Sequence, residues 1–75
     1  MVELSIPQPG NIVLVGADPA AGNPAIWVEV YGADSVTVDR KFYIRGTGHT
    51  VDIDDVHVGS YIDGPHVWHV WERSR

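Results

Sequence analysis

His66-Val67-Trp68-His69-Val70-Trp71-Glu72 decides the fold class. Its aromatic and β-branched residues favour extended chain. Its strict alternation puts His66, Trp68 and Val70 on one face and Val67, His69 and Trp71 on the other. That pattern predicts a last strand held within a sheet rather than a trailing tail. Upstream, Val2, Leu4 and Ile6 alternate with Glu3 and Ser5 as a half-buried strand, stopped by Pro7 and Pro9-Gly10. Ile12-Val13-Leu14-Val15 is a continuous apolar run, which predicts a strand covered on both faces. Turn residues fill 16–24. Ala25 to Tyr31 reads as a strand with Ile26, Val28 and Val30 opposite Trp27, Glu29 and Tyr31. Gly32-Ala33-Asp34-Ser35 reads as a tight connection. In Val36 to Arg45, Val36, Val38, Phe42 and Ile44 share a face, interrupted by Arg40.

Residues Thr50 to Asp55 read as a loop or one helical turn, Val56 to Ile62 as another strand, and Gly64-Pro65 as a turn. No window carries the helical stripe at i, i+3, i+4, i+7. The expectation is an all-β fold in one domain over 1–75: a small antiparallel β-sandwich or partly closed barrel of five to six strands.

A chain of 75 residues buries only about 60% of its unfolded surface, and folds this small often lean on disulfides, metals or oligomerisation. Cysteine is absent, which removes disulfides, iron–sulfur clusters and thiolate zinc sites. No apolar run approaches the roughly 20 residues that span a bilayer. Met1-Val2-Glu3 carries an acid where a signal peptide carries lysine or arginine. The expectation is a soluble protein without membrane contact. Ten acids against five bases give a net charge of −5, which disfavours broad nucleic-acid binding because that binding runs on neutralised phosphates. The bases sit at Arg40, Lys41 and Arg45, then at Arg73 and Arg75. The first group leaves room for a small anionic ligand.

Gly46-Thr47-Gly48 has the look of a phosphate loop but lacks the third glycine, the following helix and the P-loop lysine. It reads instead as a turn in which one or both glycines take positive φ. His49, Asp52, Asp54, Asp55 and His57 offer nitrogen and oxygen ligands at no known metal spacing, and His66 and His69 have opposite parity on a strand. No metal or cofactor is expected. No strand-to-helix elbow surrounds Ser5, Ser35, Ser60 or Ser74, and no catalytic residue is assigned. A His49–Asp pair has the chemistry of a general base and equally that of a loop-pinning hydrogen bond.

Tryptophan is the stronger clue. Trp68 and Trp71 lie on opposite faces of one strand, and Trp27 opposes the aliphatic face of its own. A core this small cannot cover aromatics on both sides, so a second copy, a partner or a planar ligand is expected over some of them. The candidate ligand- or partner-binding residues are Trp27, Arg40, Tyr43, Arg45, His49, Trp68 and Trp71.

Phe42-Tyr43-Ile44-Arg45-Gly46-Thr47-Gly48-His49, followed by Tyr61-Ile62 and by Val67-Trp68-His69-Val70-Trp71-Glu72, resembles a group of small bacteriophage proteins of uncharacterised function. Ile26-Trp27 takes the place of that group's Leu-Trp strand. Where the group commonly follows the histidine with proline, this chain has Thr50. The resemblance implies a phage gene product in the cytoplasm of an infected bacterium, and it carries over no activity.

These readings predict a non-enzymatic interaction protein that forms a homo-oligomer, most simply a dimer, and binds a host or phage protein. A small-ligand module for a nucleotide-like anion is the alternative. It would join an aromatic from Trp27, Tyr43, Trp68 or Trp71 to Arg40, Lys41 or Arg45. A minor virion component is the third reading, and a hydrolase or nuclease the fourth.

Overall fold

The structure, a computed structural model, describes residues 1–32 and 36–74. Six strands follow one another: β1 (Val2–Gln8), β2 (Gly10–Ala17), β3 (Pro24–Val30), β4 (Val36–Gly46), β5 (Val56–Asp63) and β6 (His66–Glu72). Four make an antiparallel sheet in the order β1-β4-β6-β5, and β2 pairs with β3 in a second, two-stranded antiparallel sheet. The fold is therefore all-β and two-layered, and it is not closed into a barrel. No helix among the described residues is long and apolar enough to cross a membrane. Residues 33–35 of the tight connection expected between β3 and β4 lie outside the described residues.

The final strand takes the place its alternation predicts, in the sheet between β4 and β5. Register assigns the faces. Phe42 stands opposite Glu72 and Ile44 opposite Val70 on the inner face, whereas Tyr43 stands opposite Trp71 and Arg45 opposite His69 on the outer face. Ile6, Val15, Phe42 and Val70 form the buried centre, with Leu4, Ile12, Ile26, Val28, Ile44, Val58 and Tyr61 packed around them. Arg40 interrupts the inner row of β4 because its guanidinium is spent there. Nε and Nη2 reach the two carboxylate oxygens of Glu72 at 2.6 and 2.5 Å, a forked ion pair at the margin of the core.

Two expectations are corrected. β1 runs through Pro7, which stands opposite Thr37. β1 is an edge strand, where a residue without an N–H is tolerated. The apolar run Ile12 to Val15 is not covered on both faces, since Val13 and Leu14 are exposed. The register shifts between Ile12 and Leu14, so Val13 is an extra residue. The bulge turns both Ile12 and Val15 inward and leaves Leu14 facing out beside Trp27. A second register shift lies between His57 and Gly59 in β5. The two bulged strands meet where a Cβ on Gly59 would stand 2.6 Å from Val15 Cγ2.

Candidate functional site

The turn expected at Gly46-Thr47-Gly48-His49 is present. The His49 N–H donates to the Gly46 carbonyl at 3.1 Å, and Gly48 has φ of 87°. A positive φ at the third position alone is the signature of a type II turn. From that turn, residues 50–55 run as loop and turn to the start of β5. Of the two forms considered for this segment, the loop is the one observed.

The outer face of the large sheet carries two cross-strand rows. One is Arg45, His69 and Ser60; the other is Tyr43, Trp71 and His57. Simple alternation would put His57 and Ser60 on opposite faces. The β5 bulge adds one residue between them and brings both to the same face. A continuous polar chain results. His57 Nε2 lies 2.9 Å from Ser60 Oγ, Ser60 Oγ lies 2.6 Å from His69 Nδ1, and His69 Nε2 lies 2.8 Å from Thr47 Oγ1. The two imidazole centroids are 5.8 Å apart, and the His57 ring meets Trp71 edge-on at 5.1 Å. Arg45, Thr47, His49, Val51, His57, His69 and Trp71 line one open hollow of about 300 Å³. The Trp71 Nε1 is buried without a hydrogen-bond partner, a condition that costs on the order of 1–3 kcal/mol in a folded protein.

Tyr43 sits one row along and is buried. Its hydroxyl donates to Asp55 Oδ2, and the Arg45 guanidinium lies 4.6 Å from its ring centroid. Burial and the bond to Asp55 push the Tyr43 hydroxyl above the usual phenol range. The same bond, joined by the Ser74 N–H and the nearby Arg73, holds the Asp55 carboxyl below the usual aspartate range against its partial burial.

Of the residues singled out from sequence, the structure brings Tyr43, Arg45, His49 and Trp71 to this outer side. The others lie apart. Arg40 is held by Glu72 on the inner face. Trp68 is half-buried on the inner face, 5.4 Å from the His66 ring. Trp27 stands on the outside of the small sheet opposite Leu14. Of the arginines expected to join an aromatic in an anion site, Arg40 is engaged by Glu72, whereas Arg45 lies over Tyr43 and lines one hollow with Trp71. Thr47, His57, Ser60 and His69 are the members that site assignment from sequence missed. Gly59 inside a strand was the available sign of the bulge that unites them. Among the described residues, no three His, Cys, Asp or Glu side chains are placed to hold a metal ion.

The model of the family described as "Domain of unknown function (DUF7352)" matches residues 1–75. No curated protein matches the chain, and no solved structure does.

Proposed function

The chain belongs to that family, and for this member we propose a bacteriophage-encoded, non-enzymatic interaction protein that dimerises and in that form binds a host or phage protein in the cytoplasm of the infected bacterium. The observation that carries this reading is the amount of surface left uncovered. The chain exposes 5222 Å² at a mass of 8.2 kDa. A folded monomer of that mass exposes on the order of 4,500 Å². The excess, about 700 Å², is close to the ~800 Å² that each partner buries in a standard interface.

The excess follows from the shape, a slab of 41 × 32 × 16 Å in which two strands cover a sheet of four. Among the described residues only Ile6, Val15, Phe42, Tyr43 and Val70 are buried. One side of the sandwich stays open. There Met1, Val2, Leu4, Ile26, Phe42 and Ile44 line an apolar cleft of about 240 Å³. A second copy docked across this mouth completes both cores by one two-fold operation. The likeness of Gly46 to His49 and of Val67 to Glu72 to small bacteriophage proteins supports the phage origin.

Sedimentation of the full chain tests the reading. The expected result is a dimer near 100 μM that dissociates on dilution, as mass action requires. A monomer at every concentration overturns it.

A further inference from the structure

Three histidines reach the outer hollow from three separate segments, His49 from the turn after β4, His57 from β5 and His69 from β6, and Arg45 lines it with them. Among the described residues no carboxylate lines it, although the chain carries ten acids against five bases. Asp52, Asp54 and Asp55 line a different hollow with Arg73 and Ser74. The Asp55 carboxylate, the nearest in sequence to His57, accepts from the Tyr43 hydroxyl and the Ser74 N–H. Asp52 and Asp55 also line a neighbouring hollow that shares Arg45 and Val51 with this one, so Arg45 stands between the aspartates and the imidazoles.

The polar chain has a further property. A hydroxyl owns one proton, and an imidazolium donates from both ring nitrogens. With neutral rings, Ser60 donates to one histidine and accepts from the other. With both rings protonated, Ser60 accepts from His57 Nε2 and His69 Nδ1, Thr47 accepts from His69 Nε2, and both hydroxyl protons are released to point elsewhere. Two imidazolium rings with centroids 5.8 Å apart repel unless a negative charge lies beside them.

We propose that this hollow binds a phosphate-class oxyanion, with Arg45, His57 and His69 supplying positive charge and the Thr47 hydroxyl a hydrogen-bond donor, while Ser60 ties the two imidazoles together from behind. Among the described residues the charged and titratable groups that line it are Arg45 from β4, His49 from the turn, His57 from β5 and His69 from β6. Val51 and the Trp71 ring line the rest, a surface suited to the carbon part of a phosphomonoester. Arg45 lines both this hollow and the dimer mouth, whereas His57, His69 and Trp71 line the hollow and not the mouth, so loss of anion binding in His69→Gln and loss of the dimer are separable outcomes.

The test is a titration of the full chain with inorganic phosphate and, separately, phenyl phosphate, at constant ionic strength in chloride near pH ~6, where imidazole carries charge. Nuclear magnetic resonance of the histidine rings and indole N–H groups is the readout. Saturable shifts at His57, His69 and Trp71 are expected, with Trp27 unmoved. Arg45→Gln and His69→Gln should each weaken binding about tenfold or more, as expected for charged donors to an oxyanion. Ser60→Ala, at an exposed side chain, should weaken it with the spectrum otherwise retained. Tighter binding of phenyl phosphate assigns the Val51 side to an ester group, equal binding assigns the site to the free anion, and both support the proposal. It is overturned by a response that fails to saturate by ~20 mM, by an equal response to neutral phenol, or by unchanged affinity in both Arg45→Gln and His69→Gln.

Discussion

Gly48 and His49 are neighbours whose substitution asks two different questions. Gly48 holds φ of 87°, where a Cβ costs about 1–2 kcal/mol, so Gly48→Ala should lower the melting temperature whatever the protein binds. His49 closes the turn with its backbone N–H, and alanine keeps that bond. Its ring lies 3.5 Å from where a Cβ on Gly46 would stand. His49→Ala should therefore cost less than about 1 kcal/mol, and calorimetry on both variants checks the contrast. The Tyr43–Asp55 pair carries a pH signature. Because the folded Asp55 carboxyl is held below its ordinary value, its contribution is complete above the unfolded aspartate value of about 3.9 and is lost as pH falls through the folded value. Tyr43→Phe keeps the ring beneath Arg45 and removes the donor. The variant should melt below wild type at neutral pH, and the gap should narrow as the pH falls below the unfolded aspartate value of about 3.9 and through the lower folded one. Equal gaps at both ends would refute the assignment. Gly48 was legible in the sequence, since a Gly-Thr-Gly turn demands a positive φ somewhere. The bond between Tyr43 and Asp55 was not, because it depends on the path of a loop that has no periodicity to read.

At the scale of strands, alternation located all six elements to within a few residues, and it failed at the two bulges. An inserted residue resets the phase of a strand. A period-2 reading therefore assigns wrong faces on one side of the insertion, as it would for His57 and Ser60 in β5, and in β2 the cover expected on both faces of Ile12 to Val15 fails at Val13 and Leu14. The bulges also position the layers. Gly59 faces inward opposite Val70 and leaves space filled by Val15, whose Cγ2 and Cγ1 lie 2.6 and 3.3 Å from the missing Cβ position. Val15 is β-branched and stiff. Gly59→Ala should therefore cost about 1–3 kcal/mol as an overpacked core does. Val15→Ala should itself destabilise by leaving a cavity. The double substitution should cost clearly less than the sum, because each change relieves the other. Additive losses in chemical denaturation would show that the sheets do not meet at this point. The same bulge underlies the candidate site, so Gly59→Ala should also disturb the Ser60–His69 hydrogen bond.

For the whole molecule, sequence showed a surplus of apolar side chains, and structure shows where that surplus lies. Two strands cannot cover four, so the inner sandwich opens at Met1, Val2 and Leu4. Trp68 and Trp71 on opposite faces were the legible sign, but alternation could not say that Trp68 would be half-buried while the mouth of the sandwich stayed open. That difference favours the mouth over the indoles as the interface of the proposed dimer. Val2 is 56% exposed in the single chain, so a lysine there meets water in the monomer and a desolvated apolar surface in the dimer. Val2→Lys should raise the dimer dissociation constant about tenfold or more, since one poorly solvated charge outweighs 1.4 kcal/mol, while leaving the fold of the monomer intact. Ile53, 96% exposed in the segment between β4 and β5, supplies the control, because it is equally apolar and does not line the mouth. Ile53→Lys should leave the dissociation constant unchanged. Sedimentation equilibrium on the two variants beside wild type reads the difference directly. If Ile53→Lys dissociates the dimer and Val2→Lys does not, the copies meet through the loop between β4 and β5, and the open mouth belongs to another partner.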